Sequence, residues 1–516
     1  MATRSVSTRP SSRRRRRESP GSASLRAVDY RTLKNALCRQ PAFSQDRLEA
    51  VHSTALRVLE ELGIRVLNAQ ARREFAQAGA DVSEDSLMVR MDRGLVASAL
   101  ATAPEIFEVA GGSPCRAFRV GGDSIVFAPV GGPPFVSDLD HGKRPGTLGE
   151  LRDFFKLTQS FDVLHMLSPS IEPQDVALNV RHLKVTESQL TLSDKAPFVF
   201  SRGSGQVKDC FEMVRIMRGL TEEQFRAQPY CHTVVNTNSP RQLDAPMCQG
   251  IMDFARAGQM VVVTPFTLSG AMAPVTIPGA LALQHAEAMA GIALHQIVHP
   301  GAPVVYGSFT SNVDMKSGSP AFGTPEFVKG AFGAGQLARH IGLPWRGSAA
   351  TASNAPDGQA VYETIMSAWG GVLAGINIMK HAAGWLEGGL TASKEKFILD
   401  IEMLQILAEV LQPLDASDDE IGFAAIAETE PGGHFFAARH TMERYQSAFY
   451  SPMLSDWRNF GEWSNDGSKT AVQRANAVWK ETLANFEPPA VDPARQQALE
   501  DFVARRSREG GSHPLD

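Results

Sequence analysis

The run Val261–Ser311, VVVTPFTLSGAMAPVTIPGALALQHAEAMAGIALHQIVHPGAPVVYGSFTS, decides the fold reading. It holds a β-branched run at Val261–Thr264, a long apolar helix-like segment, and a second β-branched run at Pro303–Tyr306. The alternation extends C-terminally through Trp345–Ala349 and Ile376–His381. Going the other way it takes in His232–Asn236, Phe198–Ser201 and Val163–Leu167, with Ser124–Val130 as either an eighth strand or part of a preceding β element. Successive runs begin about thirty to forty-five residues apart, the length of one strand plus one helix with decorated loops. Several runs end in groups that can meet a ligand: Phe266, Tyr306–Ser308, Ser348–Asn354 and His381. Strand–helix alternation with polar and aromatic residues at successive strand ends predicts an α/β protein built on a (β/α)8 TIM barrel.

The barrel is expected over residues 147–412, after an N-terminal helical and β cap at 27–146. A C-terminal helical extension is expected over 413–486, then a short helix and frayed tail at 487–516. Residues 1–26, with five consecutive arginines at Arg13–Arg17 and no following apolar segment, read as a disordered basic tail rather than an export signal. An open, doubly wound sheet is the competing architecture. Its signature would be a glycine-rich turn after a strand, but Gly333-Ala334-Gly335 lies inside a helix pattern, where small residues allow close helix packing.

The 516-residue chain is 43% hydrophobic and 21% charged, with a formal net charge of −5. That balance suits a soluble globular protein and gives no sign of nucleic-acid binding. No apolar run is long enough for a membrane span. Five scattered cysteines with no C-x-x-C pair point to reduced thiols in the cytoplasm.

The sequence has no G-x-S-x-G elbow, P-loop or H-E-x-x-H motif. His295 and His299 have the helical spacing of a metal pair, but their helix lies between two barrel strands and belongs on the outer ring, so no metal is expected. Cys231 and His232 fall at the start of a strand, which favours a buried structural role. The strand ends leave Asn236, Asn238, Phe266, Tyr306, Ser308, Asp314, Asn354, Asp357, Gln359, Glu363, His381 and Glu387. Rings, amides and carboxylates without a nucleophile–base pair suit a cationic substrate such as a quaternary ammonium, held partly by cation–π attraction. His434, on the turn Pro431-Gly432-Gly433-His434, reads either as a residue swung over the barrel mouth or as a turn histidine with a local hydrogen bond.

Many ordered strings carry a family resemblance. They include Pro278-Gly279-Ala280-Leu281 with Ala286-Glu287, Pro303-Val304-Val305-Tyr306-Gly307-Ser308, Asp314-Met315-Lys316-Ser317-Gly318 and Pro325-Glu326-Phe327. Further on come Asp357-Gly358-Gln359-Ala360-Val361-Tyr362-Glu363, His381-Ala382-Ala383-Gly384, Ser393-Lys394-Glu395-Lys396-Phe397 and Pro431-Gly432-Gly433-His434-Phe435. From about Phe43 to Asp456 the chain resembles the trimethylamine methyltransferase family, the corrinoid-dependent methylamine and betaine methyltransferases. The resemblance implies methyl transfer to the cobalt of a corrinoid (cobalamin) carried by a separate, cognate corrinoid protein. It differs from the archaeal trimethylamine members in one respect: they carry pyrrolysine in the loop that here reads Ala349–Pro356. Members lacking pyrrolysine resemble enzymes for quaternary amines such as glycine betaine, proline betaine or carnitine, and the same substrate type is expected here. On this reading Phe266 and Tyr306 face the ammonium, and Arg346, Asn354 or His381 holds a carboxylate. Asp314, Glu326, Asp357, Gln359, Glu363 and His434 order the site. The chain is also expected to be a homo-oligomer. A non-catalytic quaternary-amine-binding barrel and a metal-dependent barrel lyase or hydrolase remain as alternatives.

Overall fold

The β-branched runs form a layer of parallel strands with the apolar helices outside it, giving a mixed α/β fold. The structure, a computed structural model, describes residues 30–514; the Arg13–Arg17 run and the rest of the basic tail lie outside the described residues. The described chain divides into two units, residues 30–414 with 454–514, and residues 415–453. The strand layer belongs wholly to the first.

Its strands are β1 (Val126–Phe127), β2 (His232–Thr237), β3 (Met260–Ser269), β4 (Val304–Gly307), β5 (Phe309–Val313), β6 (Trp345–Ser348) and β7 (Ile378–Lys380). The hydrogen-bonded order is β2-β3-β4-β6-β7-β1, every pair parallel. Val126 and Phe127 pair with Ile378 and Met379, so the Ser124–Val130 run joins this layer. β5 continues the register of β4 along β3, with Phe266 opposite Phe309, and then turns back against Pro320–Ala321.

The segments expected as strands near Val163 and Phe198 make single bridges instead, Met166 to Ala196 and Phe198 to His232. Two local causes keep them from regular ladders. The Phe127 N–H is taken by the His165 side chain, Nδ1 at 3.2 Å, rather than by a carbonyl. Pro197 has no N–H to offer. Backbone bonds still link the neighbours: His165 N–H donates to Phe127 O at 2.9 Å and Leu167 N–H to Ala196 O at 3.0 Å.

Four helices follow in the same half of the chain: α1 (Ile277–Val298), α2 (Pro325–His340), α3 (Gly358–Leu373) and α4 (Lys394–Val410). Every α1 residue from Ala280 to Gln296 is buried. A helix apolar all round needs cover on all sides; here β3 and β4 lie on one side and the N-terminal helices Gln45–Arg57 and Arg93–Leu100 on the other. The Gly333–Gly335 string serves helix packing, since a Cβ on Gly335 would meet Ala374 O at 2.4 Å. His295 is buried on α1, where burial lowers its pKa to about 3, while the exposed His299 caps the carboxyl end of α1 and bonds Ala255 O at 2.8 Å.

Inside the strand layer, Val126, Ala128, Met166, Ala196, Met260, Val262, Val305 and Ile378 pack into one cluster. The antiparallel hairpin Phe107–Val109/Phe118–Val120, which precedes β1, contributes Val109, Phe118 and Val120 to it and stoppers the amino end. Residues near the C-terminus do not simply fray: the helix Pro493–Arg508 packs on the helices Leu178–Leu192 and Ser204–Arg218. Its Arg506 holds the buried Asp209 at 2.7 Å. No helix among the described residues is long and apolar enough to cross a membrane.

Candidate active site

Successive side chains of a strand point to opposite faces. Val262, Val305 and Ile378 belong to the interior cluster. Two residues further along the same face come Thr264, Gly307 and Lys380, and beyond them Phe266 and Phe309. The carboxyl-end half of the inner face is therefore polar and aromatic where the amino-end half is aliphatic. A Cβ on Gly307 would come within 2.0 Å of Thr264 Oγ1, so only glycine fits beside that hydroxyl.

Arg346 and Ser348 of β6 share this face. Arg346 is 2% exposed, lies over the Phe309 ring at 5.4 Å, and gives Ser308 O one long bond of 3.4 Å. Its Nε has no partner among the described residues, and burial pulls its pKa down to about 9. On the adjacent strand Lys380, 3% exposed, donates to Ser168 Oγ at 2.8 Å and lies 3.4 Å from His232 Nε2. Burial and the Arg346 charge lower its pKa to about 7. Neither cation has an ion-pair partner among the described residues, which is unusual for groups this deep.

His381 ends β7 with φ +56°, a left-handed conformation that a non-glycine residue adopts at a cost of order 1 kcal/mol. The turn brings its ring against Trp385, centroids 4.0 Å apart, and its Nδ1 to Ser348 Oγ at 3.0 Å. Burial and the neighbouring Arg346 and Lys380 charges hold its pKa well below the histidine range. Phe309 joins the rings, with centroids 5.2 Å from Phe266, 5.4 Å from His381 and 6.1 Å from Trp385. Phe266 is the half-buried member of this group.

The structure thus brings Phe266, Arg346 and His381 together. Tyr306 does not join them. It sits on the opposite face of its strand, where its hydroxyl donates to Gln284 at 3.2 Å and bonds His285 at 2.9 Å on α1. His285 in turn bonds His52 at 2.9 Å, and burial pushes the Tyr306 hydroxyl pKa up. Asn354 is exposed on the loop that follows β6. Glu363 anchors that loop, accepting from Thr351 Oγ1 at 2.5 Å, Ala352 N–H at 2.8 Å and Gln359 Nε2 at 2.8 Å. Asp357 caps α3 through the N–H groups of Gln359 and Ala360.

Three further candidates are exposed. Asp314 caps its own turn, accepting from Ser317 N–H and Oγ. Glu326 is exposed in the first turn of α2, where a carboxylate suits the helix N-terminus. His434 is exposed in the 415–453 unit, its ring 5.4 Å from Phe436.

Lys380, Phe309, Trp385 and Ser168 escape the sequence reading. A signal existed for Lys380, which immediately precedes His381 in the run Ile376–His381. His232, assigned a structural role from its place at a strand start, faces Lys380; burial and that charge keep it neutral, and its Nδ1 has no protein partner. Asp138, Asp140 and His141 form the metal-like cluster among the described residues, and Asp138 there is committed to Arg144.

Comparison with known proteins agrees with the motifs. The sequence profile of trimethylamine methyltransferases (MTTB) matches residues 9–511. A glycine betaine methyltransferase of Desulfitobacterium hafniense is 34% identical over 470 residues, 91% of this chain and 97% of the relative. A trimethylamine methyltransferase of Methanosarcina mazei is 30% identical over 480 residues, covering 91% and 96%. The crystal structure of the Methanosarcina barkeri monomethylamine methyltransferase matches with a TM-score of 0.45 at 9% identity, covering 88% of this chain and 97% of that one. With a profile match across nearly the whole sequence and relatives aligned almost end to end, the chain belongs to the trimethylamine methyltransferase family.

Proposed function

We propose that this chain transfers a methyl group from a small quaternary amine of the betaine type to Co(I) of a corrinoid held by a separate carrier protein. The observation that carries this reading is Arg346, buried without a carboxylate partner beside a set of aromatic rings. A carboxylate-bearing quaternary amine supplies the missing anion at one end and a cation for the rings at the other. The glycine betaine methyltransferase similarity points the same way.

The parallel layer is proposed to close as a (β/α)8 barrel, with Val163–Leu167 and Phe198–Ser201 as its remaining staves. The bonds Phe127–His165, Leu167–Ala196 and Val199–His232 support closure. In the site, Phe266 faces the ammonium, Arg346 and His381 hold the carboxylate end, and Asn354 stands on the rim. Glu363, with Gln359 and Asp357, fixes the Ala349–Pro356 loop.

Inner-face residues that offer rings and hydrogen-bond donors, with no thiolate or carboxylate, fit a nucleophile brought from outside. The corrinoid, when its carrier docks, supplies that nucleophile as cobalt(I). The C–N bond breaks with its electron pair left on nitrogen, and the amine leaves neutral and tertiary. No proton moves, so the chain's task is to orient the donor and keep water out. Incubating the purified protein with reduced cob(I)alamin and a panel of betaines tests this reading. Formation of the tertiary amine from at least one betaine is expected. Turnover of some other methyl donor with every quaternary amine untouched would end it.

A further inference from the structure

We propose that Lys380 and Arg346 act together as a two-cation clamp for the substrate's carboxylate, and that Lys380 makes the site reject quaternary amines lacking one. The proposal deepens the betaine reading and rests on it for the nature of the substrate's other end.

The buried layer holds an excess of donors. Arg346 carries five N–H groups and gives one of them a long contact to Ser308 O. Lys380 carries three and spends two, on Ser168 Oγ and His232 Nε2. A charged Lys380 donating to Nε2 places the imidazole proton of His232 on Nδ1, which has no acceptor among the described residues. Thr264 Oγ1, on the same inner face, also lacks a partner among the described residues. Four groups on four segments thus offer hydrogen bonds in a buried layer where the protein provides too few acceptors.

Register explains why they converge. Arg346 lies opposite Ile378 and Ser348 opposite Lys380 on adjacent parallel strands, so the two cations stand one step apart on the same face. Two like charges buried together oppose folding unless an anion answers them. Arg346 also covers the Phe309 ring, and Lys380 lies 5.5 Å from the Phe198 ring, which directs a quaternary ammonium away from both, toward the half-buried Phe266 at the strand ends. A zwitterion can satisfy the two regions at once. A simple tetraalkylammonium brings a third positive charge and leaves the donors unanswered.

The test is calorimetric titration of the full chain and of its Lys380→Met and Lys380→Arg variants with three probes. These are glycine betaine, its uncharged-head isostere 3,3-dimethylbutanoate, and tetramethylammonium. Lys380→Met should weaken both carboxylates on the order of thirtyfold or more, and tighten tetramethylammonium. Lys380→Arg should restore most of the carboxylate affinity, which a purely packing role would not. Unchanged glycine betaine binding by Lys380→Met overturns the clamp and leaves the betaine reading standing. So does parallel weakening of all three probes in a variant that melts like the parent. If the parent binds 3,3-dimethylbutanoate through Lys380 and binds no quaternary amine, the clamp stands and the betaine reading falls.

Discussion

The two halves of the inner strand face obey opposite rules. At the amino end Met260, Val262, Val305 and Ile378 meet the Phe107–Val120 hairpin in a cluster without a polar atom to satisfy. Further along the same face Thr264, Lys380 and Arg346 of the neighbouring strand are buried, His232 reaches Lys380 from the start of β2, and their donors are unanswered among the described residues. The first half holds the fold together by removing apolar surface from water. The second works against folding, and such residues persist at sites where a ligand completes them.

Substitutions in the two halves should therefore move stability in opposite directions. Ile378→Ala, in the aliphatic half, should lower unfolding free energy by about 2–5 kcal/mol through lost transfer energy and a cavity, read by denaturant melts. Arg346→Met, in the polar half, should be neutral or raise stability by about 1–2 kcal/mol while abolishing betaine turnover. A destabilised Arg346→Met variant would mean the two halves are not functionally distinct.

The smallest effect is on pH. Lys380, with its pKa near 7, faces His232 and His381, both kept neutral by burial, and Arg346, which is charged at neutral pH. Above pH 7 the free protein loses the lysine charge and a bound carboxylate restores it, so affinity for betaine should fall by up to about tenfold per pH unit. Titration in buffers of different ionisation enthalpy at pH 8 should show uptake of close to one proton. The same lowered pKa means the unfolded chain holds more protons above pH 7, so this residue's contribution to ligand-free stability should rise with pH there.

Much of the strand layer was legible in sequence because β-branched runs such as Val261–Thr264 and Val304–Tyr306 have few other solutions. Which residues face inward was not. In a strand covered on both faces, hydrophobicity does not alternate, so nothing in Val304-Val305-Tyr306 marks Val305 as inner and Tyr306 as outer. That missing parity is why Tyr306 was expected at the site and Phe309, three residues on and on the other face, was not. Lys380 was hidden for a different reason: a lysine at a strand end ordinarily reaches water, and only the folded chain reveals that this one does not. The weak strands near Val163 and Phe198 were readable as runs, while the side-chain substitution by His165 that interrupts their ladder depends on a partner far away in sequence.

The hairpin that plugs the amino end also governs traffic. With that end shut, the proposed donor, cobalt carrier and spent amine would all use the opening at the strand tips. Under the proposed function, methyl donors would then load before the carrier covers the entrance, and the demethylated product would wait until it leaves. Ordered turnover would follow from how the molecule is sealed, with no moving gate required.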